Sequence, residues 1–278
     1  MGCYLMSTAP TIRAYLGGSF NPVHQGHIQM AMYVYNAIAT IATTHQQPFS
    51  VSLLPNARSP FKEDTIAPAQ RLAMLQLAIQ GTPLGIDELE LWQPPPVYTI
   101  DSVRTLRQRY PDDNLIFIMG MDSAHSLDQW KDGLALTDYV DLWIFNRSHD
   151  TDSSIKIEDN PHHSLSKQGI AQLITALPLS LQEQVTYAPT DLIAPLLSHS
   201  NTLKNGNQGR IYIDPRSVSA ISSTQIREQL LISATASDTR TNPHAYANNP
   251  LNSLAKWLNP TVYQYIIAHQ LYSAAQFR

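Results

Sequence analysis

Cysteine is almost absent from this chain: Cys3 stands alone among 278 residues. That excludes an internal disulfide and leaves any zinc site short of its usual thiolate ligands. Charge is also sparse. Lys, Arg, Asp and Glu make up 14% of the residues, with a formal net charge of −4. No global basic field is present to attract nucleic acid or an anionic membrane, although a local basic pocket for a phosphorylated metabolite remains compatible with that balance. No run of 18 apolar residues occurs, so no membrane-spanning helix is expected. Met1 to Pro10 has neither a basic start nor a long apolar core, which argues against a secretory signal. Met1-Gly2-Cys3 resembles the start of a myristoylation signal, but Met6 occupies the place where Ser or Thr is needed. A cytoplasmic protein is the expectation. Internal repeats are lacking as well.

What is there is enough for a large core. With 43% hydrophobic residues, positions 1–278 read as a single domain. Short β-prone runs alternate with amphipathic segments. Strands are expected at Thr11–Leu16, Phe49–Leu54, Ile86–Leu91, Leu115–Met119, Val140–Phe145 and Arg210–Asp214. Helices are expected at Ile28–Ala42, Pro68–Gln80, Thr99–Tyr110, Ile170–Ala176, Ser180–Val185, Ser222–Leu231 and Pro260–His269. This alternation predicts an α/β fold with a parallel sheet covered on both faces. Two stretches depart from it. Positions from about 148 to 209, with Thr190–Gly209 irregular, and from about 233 to 256 are polar and weakly periodic. They read as insertions, of which 148–168 and 233–252 are expected to be dispensable for chemistry, with His149, His162 and His163 solvated in the first.

The most informative stretch is Gly17 to His27, Gly-Gly-Ser-Phe-Asn-Pro-Val-His-Gln-Gly-His. It lies between the first strand and the first helix and holds three of the chain's 11 glycines. Gly17 and Gly18 allow a sharp turn and close approach of a ligand. A helix N-terminus offers unpaired N–H groups and a positive dipole end, both suited to a phosphate. His24 and His27 enter that helix three residues apart. Taken alone, such a pair is more often surface histidines or two ligands of a zinc site than a functional pair. The second element is Ile221-Ser222-Ser223-Thr224-Gln225-Ile226-Arg227. Hydroxyl residues at a helix start are ordinary N-caps. Together with Arg227 one turn on, they also form a donor cluster for phosphates.

As a pair, the two elements resemble the (T/H)xGH and ISSTxxR signatures of the nucleotidyltransferase superfamily. Further segments resemble the bacterial nicotinate-nucleotide adenylyltransferases: Pro55-Asn56 with Pro60-Phe61-Lys62, Val97-Tyr98-Thr99, Ile118-Met119-Gly120-Met121-Asp122-Ser123 followed by Trp130, Leu142–Arg147, and Val262–Tyr272. The pattern departs at Phe61, Val97 and Ser148, and at Asn21, where aspartate is frequent. The resemblance implies a Rossmann-like doubly wound fold with a small C-terminal helical part. It also implies transfer of the adenylyl group of ATP to nicotinate mononucleotide, giving deamido-NAD and pyrophosphate. The implied catalytic residues are His24, His27 and Arg227. Gly17, Gly18, Ser19, Phe20, Gly26, Ser222, Ser223 and Thr224 would hold ATP. Asn56, Lys62, Thr99, Asp122 and Trp130 would hold the mononucleotide, with Ser19 and Lys62 near its phosphate. Stacking of Trp130 on the pyridine would add about 0.5–1.5 kcal/mol. Mg2+ is expected to enter with ATP, with few direct protein ligands. Partners beyond the substrates are not implied: no nucleic acid and no membrane, while a homo-oligomer stays open. The alternatives are another adenylyltransferase, such as one acting on phosphopantetheine, and a nucleotide-binding regulator without turnover.

Overall fold

The β-prone runs form seven strands in this computed structural model: β1 (Ile12–Gly18), β2 (Phe49–Pro55), β3 (Gly85–Ile86), β4 (Asn114–Gly120), β5 (Asp141–Phe145), β6 (Val185–Thr186) and β7 (Ile211–Asp214). The structure describes residues 10–57, 66–146, 165–197, 208–216, 218–238, 254 and 256–273. The strands join one sheet in the order β3-β2-β1-β4-β5-β7-β6, and every pairing is parallel.

Period-two alternation divides the side chains between two cores. Ile12, Ala14 and Leu16 of β1 face one way, with Ile116 and Ile118 of β4 and Trp143 and Phe145 of β5. Tyr15, Leu115, Phe117, Met119, Leu142 and Ile144 face the other. Helices cover both faces, as the sequence predicts for strands apolar on each side. Helix α1 (Gln25–His45) and helix α2 (Pro68–Ala78) pack on the first. Helix α3 (Thr99–Arg109), the short α4 (Met121–Ala124), α5 (Lys167–Ala176) and α6 (Leu179–Gln182) belong to the second. Helices α7 (Thr190–Leu197), α8 (Ser223–Asp238) and α9 (Pro260–Ala268) return to the first face. Among the described residues no helix is long and apolar enough to cross a membrane.

Several expected elements are corrected. The strand expected at Ile86–Leu91 pairs only at Gly85–Ile86, because the Asp87 carboxylate accepts the Leu89 N–H (3.0 Å) and turns the chain. The helix expected at Ser180–Val185 ends at Gln182, and the β-branched pair Val185–Thr186 adds to the sheet edge beside β7. The irregular reading of Thr190–Gly209 misses α7, whose Leu192 and Ile193 are fully buried. Pro195 lowers the helix propensity there, and tertiary burial outweighs it. Positions 165–197 thus contribute an edge strand and core side chains. Helix α8 runs beyond Leu231 into the stretch read as low-periodicity. His149, His162 and His163 lie outside the described residues.

The chain winds outward from β1 to β2 and β3, then crosses to β4 and continues the other way. That reversal opens a crevice outside the carboxyl ends of β1 and β4, where ligands bind in such sheets.

Candidate active site

Gly17 and Gly18 end β1 at the mouth of this crevice. A Cβ on Gly17 would stand 2.4 Å from the Phe117 ring, so only glycine fits between β1 and β4. The loop that follows is held in an uncommon conformation. Phe20 takes φ +46°, a left-handed value that costs a bulky residue about 1 kcal/mol or more. Burial of its ring and an edge-on contact with His27, 4.9 Å between centroids, offset that cost.

His24 is the N-cap of α1, and His27 sits in the first turn. Their rings lie 3.7 Å apart, nearly stacked, and both are largely buried. The His24 backbone N–H donates to Nδ1 of His27 (3.3 Å). With Nδ1 accepting, a neutral His27 carries its proton on Nε2, which makes that nitrogen a donor. No acidic residue occupies the first turn of α1, so the positive end of the helix dipole is left for an anion.

The second motif meets the first here. Ser222 and Gln225 form a reciprocal cap: the Ser222 N–H donates to the Gln225 Oε1 (2.8 Å), and the Gln225 N–H donates to the Ser222 Oγ (3.2 Å). The next residue reaches across the crevice, Ser223 Oγ donating to the Pro22 carbonyl (2.9 Å). Arg227 donates from one terminal nitrogen to the Asn21 carbonyl (2.7 Å) and from the other to Thr224 Oγ1 (3.1 Å). The chain leading into α8 also rests on α1, because the Ser219 N–H donates to Gln29 Oε1 (2.9 Å). Gly26 allows this approach: a Cβ there would meet the Ser219 carbonyl at 3.1 Å.

The residues expected on the mononucleotide side are more open. Asn56 follows β2 and its N–H donates to the Gly18 carbonyl (3.0 Å), tying the two loops together. Thr99 opens α3 and is half-buried; Asp122 is exposed in the first turn of α4. Trp130 is half-buried and packs against the second core. Its segment is fastened to α3 by surface ion pairs, Lys131 to Asp101 (3.0 Å) and Arg104 to Asp132 (3.1 Å). Lys62 lies outside the described residues, as do Pro60 and Phe61 and the arginine at 147.

Two residues of the site were not singled out in the sequence. Arg71 of α2 is fully buried and donates to the carbonyls of Ser19 (2.8 Å), Asn56 (2.7 Å) and Ala57 (2.5 Å). A lone cation in an amphipathic helix carries no signal of such a role. Tyr272 is buried near the C-terminus, its hydroxyl donating to Asn21 Oδ1 (2.7 Å). Burial pushes that phenol far above its ordinary pKa, so it stays a donor at neutral pH. The C-terminal pattern Val262–Tyr272 pointed to the segment, but not to this contact. Among the described residues no group of three or more His, Cys, Asp or Glu side chains could hold a metal ion.

Comparison with known proteins bears on family and fold. Residues 15–229 match the family described as cytidylyltransferase-like. A relative from Idiomarina loihiensis, described as "Probable nicotinate-nucleotide adenylyltransferase", is 28% identical over 94% of this chain and 99% of its own. One from Pseudoalteromonas atlantica with the same description is 30% identical over 92% of both chains. The solved Plasmodium falciparum nicotinic acid mononucleotide adenylyltransferase complexed with NaAD superposes with a TM-score of 0.59, covering 95% of this chain and 97% of its own. At 16% identity that likeness is one of fold. The chain belongs to the cytidylyltransferase-like family and, within it, to the nicotinate-nucleotide adenylyltransferases.

Proposed function

We propose that this chain transfers the adenylyl group of ATP to nicotinate mononucleotide, giving deamido-NAD and pyrophosphate, a step of NAD biosynthesis. The observation that carries the reading is the junction of the two motifs. Ser223 and Arg227 of α8 bond to the carbonyls of Pro22 and Asn21, in the loop that delivers His24 and His27. Donors from two distant parts of the chain thereby surround one crevice.

In this reading, an oxygen of the mononucleotide's 5′-phosphate attacks the α-phosphorus of ATP. A new P–O bond forms, the bond to the bridging α–β oxygen breaks, and pyrophosphate leaves with the electron pair. The attacking phosphate is largely ionised near pH 7, its second pKa being about 6, so no base is required. Catalysis then rests on alignment and on stabilising charge. His24 contacts the α-phosphate, and His27 donates from Nε2 beside it. Arg227 holds the loop through one terminal nitrogen, on the Asn21 carbonyl, and spends another on Thr224 Oγ1 of its own helix; with five donors in all, it retains others for the β- and γ-phosphates, alongside Ser222, Ser223 and Thr224. Gly17, Gly18, Phe20 and Gly26 shape the backbone around ATP. Ser19 and Lys62 receive the mononucleotide phosphate, Asn56 belongs to the same side, and Thr99, Asp122 and Trp130 line the pyridine end. Mg2+, brought with ATP, would supply charge neutralisation for the phosphates.

A pyrophosphate-release assay tests the reading, with ATP and in turn nicotinate mononucleotide, nicotinamide mononucleotide and phosphopantetheine as acceptors. Turnover with nicotinate mononucleotide is expected. Turnover with phosphopantetheine alone, or with none of the acceptors, would overturn it.

A further inference from the structure

The loop between β1 and α1 is gripped from two sides by arginines. Arg227 and Tyr272 hold Asn21. On the other side Arg71 takes the carbonyl of Ser19 together with those of Asn56 and Ala57, and its side chain also lies 3.4 Å from Asn56 Oδ1. These acceptors come from the ends of β1 and β2, and no ion pair to Arg71 occurs among the described residues. The helix that carries Arg71 is itself anchored, because Tyr265 of α9 donates to Gln70 Oε1 (2.5 Å).

We propose that Arg71 is a positioning residue for adenylyl transfer: its buried guanidinium locks Ser19 to the Asn56–Ala57 turn and so sets the span that receives the acceptor's phosphate. This rests on the functional reading above, in which Ser19 and Asn56 belong to the mononucleotide side. Arginine suits the task because a planar fork can reach three converging carbonyls, whereas a lysine ammonium directs its donors from a single point. Burial lowers the guanidinium's pKa, opposed by the nearby Tyr272; arginine nevertheless stays charged in proteins. Since its hydrogen-bond partners among the described residues are neutral, they do not cancel the cation's field, which adds to the attraction for a dianionic phosphate. Two consequences follow. The acceptor's side of the crevice depends on Arg71 directly, and the ATP side, held also by Arg227, depends on it far less.

Arg71→Lys and Arg71→Met test this by steady-state kinetics against each substrate, with folding checked by thermal melts. In Arg71→Lys, KM for the mononucleotide should rise about tenfold or more while KM for ATP stays within about threefold. Arg71→Met should be worse than Arg71→Lys in the same direction. Hydrogen exchange should quicken in peptides spanning 17–22 and 54–57, with β5 still protected. A rise in both KM values together would overturn the proposal. So would a loss explained wholly by a smaller folded fraction. If the wild-type protein makes no pyrophosphate from the mononucleotide, the functional reading fails by itself. Exchange then decides the bracing, and unchanged protection at 17–22 and 54–57 in Arg71→Lys would sink it.

Discussion

The two edges of the sheet use the same materials to opposite effect. At the amino edge, where β1, β4 and β5 begin, an ion pair, a buried carboxylate and an arginine tie the strands together. Arg13 pairs with Asp113 at 2.5 Å, and Asp141 accepts from Asn114 Nδ2 (3.0 Å) and from the Arg210 N–H (2.7 Å). Arg107 donates to the carbonyls of Tyr139, Tyr110 and Asp113 nearby. At the carboxyl edge, Arg71 and Arg227 bond to backbone carbonyls, and neither α1 nor α8 has an acidic residue in its first turn. One edge staples the fold. At the other, an ion pair of Arg216 with Asp214 (2.5 Å) closes the end of β7, while the cations beside β1 keep positive potential available, as a site for ATP and a phosphorylated acceptor requires.

The most severe way to break this contrast is to remove a group at the carboxyl edge. His24→Ala should lower kcat about 100- to 1000-fold, the scale for losing one donor that acts on developing charge. ATP affinity, measured by titration, should barely change. A rise in KM with kcat intact would mean that His24 binds ground state and transition state alike.

At the amino edge the effect should fall on stability and not on turnover. Burial pushes the Asp141 carboxyl up to about 6, against the opposing pull of the Arg210 N–H, Asn114 and Arg107. The folded state therefore binds a proton that the unfolded state has released, and the stability this provides below about pH 4 is lost as pH rises through 6. Asp141→Asn has no such titration. Relative to wild type, the variant should gain about 3 kcal/mol between pH 4 and pH 7. Denaturant midpoints across that range would show it; parallel pH curves would contradict it.

The next test concerns matching of hydrogen bonds in the crevice. Donors near Thr99 and Asp122 should suit a carboxylate and leave an amide NH2 facing donors, at a cost of about 1–3 kcal/mol. Catalytic efficiency with nicotinate mononucleotide should exceed that with the amide by about 10- to 100-fold. Equal efficiencies would remove the argument.

The smallest change sharpens the comparison most directly. Gln25 is exposed in the first turn of α1. Gln25→Glu should favour the helix by about 0.3–1 kcal/mol through the dipole. The same charge should repel ATP by about 1 kcal/mol, raising KM for ATP about fivefold. A thermal melt and an ATP saturation curve on one sample would reveal whether stability and binding move in opposite directions.

Much of this was legible in the residues because it is local. Glycines at 17 and 18, an N-cap histidine at 24 and a Ser-x-x-Gln cap at 222–225 act within one turn, so the strand–loop–helix order and both motif segments could be read directly. The alternating runs likewise implied a parallel sheet with two buried faces. Short elements escaped: β6 and α7 draw their stability from neighbours remote in the chain, and propensity carries no trace of those.

What the sequence by itself determined was the kind of fold and the chemistry-bearing residues of each motif. Only the tertiary structure decided that Arg227 reaches Asn21, 206 positions away, that Tyr272 bonds to the same residue across 251, and that Arg71 joins two loops. The reason is physical. Backbone carbonyls are identical in every residue, so a site held together by side chains donating to carbonyls leaves its mark in the donor alone. Where the acceptor lies is settled when the chain closes.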